Sequence, residues 1–187
     1  MSHFSSISTE IRDLELAKRA LENMGLHLSS YGNCRYYFGS KMMENVVRLP
    51  GNTDMAFQRD DNGTYRITAD FFDGSVEDAI EEFKEKYAIE KLKSESRQQH
   101  FSVMPMQEKS TFRIRDPQSS DGGYMIAIVN KKGEISFEPK GIKGKNCAKF
   151  LKLENALGDV TSRVFTAEYG QADMETVQER ERLRAEY

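Results

Sequence analysis

Residues 124–169 read YMIAIVNKKGEISFEPKGIKGKNCAKFLKLENALGDVTSRVFTAEY, and this stretch carries the clearest local grammar in the chain. Tyr124, Ile126 and Ile128 alternate with Met125, Ala127 and Val129, which predicts a strand that is apolar on both faces and buried on both sides. Lys131-Lys132-Gly133 predicts a tight hairpin turn, because glycine accepts the positive φ such a turn needs. Ile135 and Phe137 then alternate with Glu134, Ser136 and Glu138, the pattern of a half-buried strand, and Pro139 is expected to end it by removing a ladder donor. Gly141 and Gly144 bracket a loop, and Asn146 is placed to cap a helix. Cys147, Phe150, Leu151 and Leu157 share one face of that helix, which Gly158 closes. Val160–Phe165 reads as a last strand, so the segment is a β-β-α-β unit.

Upstream, His3–Thr9 reads as an opening strand and Asp13 as the cap of a helix from Leu14 to Met24, stopped by Gly25. Tyr31–Phe38 and the short Val46–Leu49 are the next strands. Met55–Arg59 and Tyr65–Phe71 then form a hairpin about Asn62-Gly63. Ser75 starts a long helix whose core face is Val76, Ala79, Ile80, Phe83 and Tyr87. Phe101–Met106 and Thr111–Arg115 are two further strands. The polar stretch 117–123 reads as a linker, preceded by an N-terminal domain (1–116) and followed by the C-terminal unit (124–170) and a charged tail (171–187). The expected fold is α+β, with helices on one face of a mostly antiparallel sheet and the β-β-α-β unit extending or docking on it.

Composition narrows function more by exclusion than by indication. The chain has 27 basic and 30 acidic residues among 187, which gives no global pull toward nucleic acid or membrane. No stretch is long and apolar enough for a membrane span, and the opening MSHFSSISTEIRDLE lacks the pattern of a secretory signal. Two cysteines far apart are not a disulfide framework, so a cytoplasmic location is expected.

The opening MSHF with IRDLELAKRALENMG, the hairpin AFQRDDNGTYRITADFF and the helix EEFKEKYAIEKLKSE resemble a family found in cyanobacteria, algal plastids and other bacteria, domain of unknown function 1257, over residues 1–116. This chain departs from the resemblance at Phe71-Phe72, where related sequences usually carry tryptophan. The segment from Ile128 to Tyr169, with Gly141, Gly144 and Cys147 leading into a helix and Glu168-Tyr169 closing it, is similar to domain of unknown function 2997. The two families occur as neighbouring proteins, some beside an AAA-type ATPase. The resemblance therefore implies contact between the two parts and a protein partner, such an ATPase among the candidates.

Five residue groups are candidates for chemistry. Gly144, Lys145 and Asn146 lie at a helix start, where backbone N–H groups and the helix dipole favour an anion. Lys140, Lys143, Lys149 and Lys152 surround them, with no acid between Pro139 and Leu151. This basic face could hold a phosphate or a nucleic-acid backbone, although its spacing is not that of a Walker A loop. The bland reading is a solvated basic surface. Arg35 and Tyr37, within Arg35-Tyr36-Tyr37-Phe38, could stack single-stranded bases, or could be two faces of an ordinary strand. Cys147 in the first helical turn could be a reactive thiol, but its apolar neighbours favour burial, and Cys34 reads the same way. Asp54, Asp60, Asp61 and Asp70 could gather around a cation, though turn chemistry explains the first three. His3, His27 and His100 are dispersed, so no metal site and no cofactor is expected. The sequence therefore points to a non-enzymatic adaptor or regulatory protein with a protein partner, with nucleic-acid binding as the alternative.

Overall fold

The computed structural model describes residues 3–8, 10–71, 75–119, 122–142 and 145–165, with side chains described over 10–71, 76–119, 122–142 and 148–158. In chain order the elements are β1 (His3–Ser8), α1 (Leu14–Glu22), β2 (Leu28–Tyr36), β3 (Gly39–Val47), β4 (Met55–Arg59), β5 (Tyr65–Ala69), α2 (Ser75–Gln98), β6 (Ser102–Pro105) and β7 (Thr111–Arg115). They continue with β8 (Tyr124–Val129), β9 (Glu134–Lys140), α3 (Lys145–Leu157) and β10 (Asp159–Phe165). The fold is α+β. The strands form two sheets rather than one, in the orders β2-β3-β4-β5 and β10-β1-β9-β8-β7-β6. Every strand pair is antiparallel.

The chain divides into two compact units, and neither is a continuous segment. One comprises Thr9–Lys91 with the turn Asn130–Gly133; the other comprises β1, Leu92–Val129 and the chain from Glu134 onward. The first contains the four-stranded sheet. Asp13 caps α1 as expected, its carboxylate accepting from the N–H groups of Glu15 (2.8 Å) and Leu16 (3.1 Å). Leu16, Ala17 and Leu21 of α1 and Val76, Ile80, Phe83 and Tyr87 of α2 share one buried cluster with Val47, Met55 and Phe57 of the sheet. Phe57 and Phe83 meet edge to face, ring centroids 4.9 Å apart. Each such buried apolar side chain contributes about 1.5–3 kcal/mol. The Tyr87 hydroxyl accepts from the N–H groups of Arg12 (3.1 Å) and Asp13 (3.2 Å), which ties α2 to the start of α1.

In the second unit, Phe112, Ile114, Met125, Ala127, Val129, Ile135 and Phe137 are buried, as are Phe150, Leu153 and Leu157 of α3. Phe101 stacks on Phe150 with centroids 4.7 Å apart. Strand β8 is buried on one face only. Ile128 is exposed and Tyr124 and Ile126 are half-buried, which corrects the expectation of burial on both sides. Antiparallel sheets commonly cover a single face. Pro139 does not end β9 but pairs with Met125 inside it. What it ends is the pairing of β1, whose register with β9 stops at Ser5↔Phe137, because the missing N–H falls on that side. Helix α3 begins at Lys145, so Asn146 lies in its first turn rather than at the cap.

The expected linker 117–123 joins two strands of the same sheet, since β7 pairs with β8 from Thr111↔Ile128 to Arg115↔Tyr124. Just before it, Asp116 is buried and accepts from the N–H of Gln118 at 2.9 Å. At its end, a Cβ on Gly123 would lie 2.7 Å from the Gly141 carbonyl oxygen, too close for any other residue. The polar stretch 117–123 therefore connects two paired strands of one sheet.

Candidate functional site

The largest exposed apolar side chains of the first unit gather on the β2–β3 hairpin and the end of β5. They are Tyr31, Tyr37, Phe38, Met42 and Phe71, with Phe38 86% exposed. The hairpin extends well beyond the two strands read from the sequence, pairing from Leu28↔Val47 to Tyr36↔Gly39 about a two-residue turn, Tyr37-Phe38. Gly39 supplies the positive φ, at 150°. At the turn the Tyr37 and Phe38 rings pack edge to face, centroids 4.8 Å apart. The N–H of Tyr37 donates to the Asp70 carboxylate at 2.8 Å, which ties the tip to the residue before Phe71.

Behind the tip the hairpin is pinned by an ion pair whose carboxylate is buried and whose guanidinium is half-exposed. Arg35 grips Asp54 in a fork, Nε to Oδ2 at 2.9 Å and Nη2 to Oδ1 at 2.7 Å. The Asp54 carboxylate also accepts from the N–H groups of Arg35 (3.0 Å) and Leu49 (3.2 Å) and lies 3.3 Å from Arg48 Nη1. The Arg35 carbonyl in turn accepts the Asp54 N–H at 3.0 Å. Asp54 is fully buried. Burial pushes its carboxyl upward, but the hydrogen bonds from Arg35 and Leu49 and the guanidinium charge outweigh this and hold it below its ordinary range. Beside this pair, Cys34, Met43, Val46 and Ala56 form a small core against which Tyr36 packs. Burial pushes the Cys34 thiol up, so Cys34 is an inert packing residue.

The predicted sites separate accordingly. Arg35 is occupied by Asp54, whereas Tyr37 remains at the exposed tip. Of the lysines on the basic face, Lys140 pairs with Glu138 and Lys149 with the buried Asp116; Lys152 is exposed. The acids missing from the local sequence are thus supplied by the preceding residues and by the end of β7. Lys143 and Gly144 lie outside the described residues, as do the side chains of Lys145, Asn146 and Cys147. Asp60 is a turn residue, accepting from the N–H groups of Asn62 (3.1 Å) and Thr64 (2.9 Å). Among the described residues no group of three His, Cys, Asp or Glu side chains is placed to hold a metal ion, and no helix is long and apolar enough to cross a membrane. Sequence reasoning missed Tyr31, Met42 and Phe71, and missed Asp54 as the partner of Arg35. The one available signal was the run of aromatics ending at Phe38-Gly39.

A family of proteins of unknown function, DUF1257, matches residues 20–115, just over half of the chain. The chain belongs to the DUF1257 family. In this member a second family of unknown function, DUF2997, matches residues 126–170. No curated protein matches the chain. The boundary between the two matched segments does not coincide with the boundary between compact units. The DUF1257 segment contributes β6 and β7 to the sheet that holds β8, β9 and β10, and β1 precedes both matches.

Proposed function

We propose that this DUF1257 protein is a non-enzymatic adaptor that docks a protein partner on the tip of its β2–β3 hairpin. The observation that carries this reading is the contrast within one hairpin. The fork of Arg35 onto the buried Asp54 carboxylate holds the strand just behind the tip, while the tip itself presents Tyr37 and Phe38 to solvent, with Met42 exposed on the returning strand. Exposed aromatic clusters of this kind mark interaction sites, and a tip held in place before binding loses less conformational freedom when bound. The family resemblance singles out an AAA-type ATPase as the first partner to try.

Nucleic-acid binding through Lys140, Lys143, Lys145, Lys149 and Lys152 is the second reading. It is supported by the density of lysine in the sequence and weakened by the ion pairs of Lys140 and Lys149. One experiment separates the two. A tagged chain is recovered from its native cell beside Tyr37→Ser/Phe38→Ser and Lys143→Glu/Lys145→Glu/Lys152→Glu variants. Under the adaptor reading one protein accompanies the wild type and the lysine variant and is lost from the tip variant. Nuclease-sensitive material lost only from the lysine variant would overturn it.

A further inference from the structure

We infer that the outer edge of β2 pairs with the same edge of a second copy of this chain, joining two four-stranded sheets through Ser29–Asn33. Strand β2 is nine residues long and ends its sheet. The closing pair Tyr36↔Gly39 sets the phase of the ladder. Residues an even number of steps from Tyr36 bond inward to β3, and those between them, Arg35, Asn33, Tyr31 and Ser29, direct their N–H and C=O groups outward. Arg35 bears this phase out, since its outward N–H and C=O are the groups that bond Asp54, each at 3.0 Å. Asn33, Tyr31 and Ser29 are exposed, and their outward groups have no hydrogen-bond partner among the described residues.

An open edge of this length normally carries a device against pairing, such as lysine, proline or a short span. The other sheet edges have them: β5 is five residues with Arg66, β6 is four residues ending in Pro105, and β10 carries Arg163. Leu28–Cys34, LSSYGNC, has no charge and no proline. The occupant follows from self-complementarity. Antiparallel pairing about a two-fold axis at Tyr31 sets Tyr31 against its own copy and Ser29 against Asn33, so that each outward pair exchanges two N–H···O=C bonds. Aromatic then faces aromatic, hydroxyl faces amide, and no like charges meet. This goes beyond the tip reading, because it uses the strand edge and leaves the tip to another partner.

Sedimentation equilibrium of the full chain over a range of concentrations tests the pairing. The wild type is expected to dimerise reversibly. Tyr31→Lys and Tyr31→Glu each place like charges opposite one another and weaken self-association by about tenfold, whereas an equal mixture of the two restores it. Asn33→Pro, which removes an outward donor without touching the ladder to β3, weakens it as well. A cooperative thermal transition and an unchanged far-ultraviolet circular dichroism spectrum show that each variant is folded. A wild type monomeric at every concentration would overturn the inference. So would a dimer indifferent to both Tyr31 substitutions, or one lost on Phe38→Ser but retained in Tyr31→Lys.

Discussion

Asp54 is the residue on which the hairpin depends. Its carboxylate is fully buried and multiply hydrogen-bonded, so losing the Arg35 side chain leaves the charge to Arg48 and two backbone N–H groups. Arg35→Ala is expected to cost about 1.5–3 kcal/mol in urea denaturation, the range for a lost hydrogen bond to a charged group, whereas Arg35→Met with Asp54→Leu recovers part of that loss, since a well-packed apolar pair can replace an ion pair whose carboxylate is buried. The sign of the pH effect follows from the depressed Asp54 carboxyl. Stability is fully present above its unfolded pKa and is lost as pH falls through the lower folded value; an Asp54→Asn chain shows a flatter acid limb in denaturation midpoint against pH. Tyr87 carries a different kind of buried polar contact. Burial pushes its phenol up, against the pull of the two N–H groups it accepts from. Tyr87→Phe removes the acceptor of the Arg12 and Asp13 N–H groups and is expected to lower unfolding free energy by about 0.5–1.5 kcal/mol. Little of this is legible in the sequence: Arg35 and Asp54 are 19 residues apart and Arg12 and Tyr87 are 75 apart, and no periodic pattern encodes either pair.

At the scale of elements, helices were the most legible. Asp13, Gly25 and the stripe Val76-Ile80-Phe83-Tyr87 announce α1 and α2 because caps and helical periodicity are local physics. The same holds for the turn before β9, where Gly133 has φ 77°. There a Cβ would also meet the Lys84 carbonyl oxygen at 3.0 Å. Gly133→Val should therefore destabilise by about 1–3 kcal/mol, through positive φ and close approach together, as thermal unfolding would show. The β2–β3 hairpin was the least legible element. Its turn is Tyr37-Phe38, residues with no turn preference, and its second strand, Gly39–Val47, has no alternation to betray it. Its register is held instead by Asp54 and Asp70, which come from outside the hairpin.

At the scale of the whole molecule, the family segments and the folded units cut the chain differently. β1 lies between β9 and β10, paired to β10 from His3↔Phe165 and to β9 from Ser5↔Phe137. The segment matched by DUF2997 thus has its last strand separated from its hairpin by a strand from the opposite end of the chain. A fragment spanning 124–187 is expected to be unfolded by circular dichroism and amide-proton dispersion. A chain lacking residues 1–8 should regain cooperative unfolding when a peptide of residues 1–9 is added. A folded 124–187 fragment would contradict the role given to β1. By itself the sequence determined the α+β class, the core stripe of α2, the Asn62-Gly63 and Lys132-Gly133 turns and the β-β-α-β order of the last segment, because caps, turns and periodicity act between near neighbours. Only the tertiary structure decided that there are two sheets, that β1 completes the second, that the lysines at 140 and 149 are neutralised by Glu138 and Asp116, and that Tyr37 and Phe38 stand exposed on a pinned hairpin. Strand pairing and ion pairing join residues far apart in the chain, and their energies arise only when the whole fold brings them together.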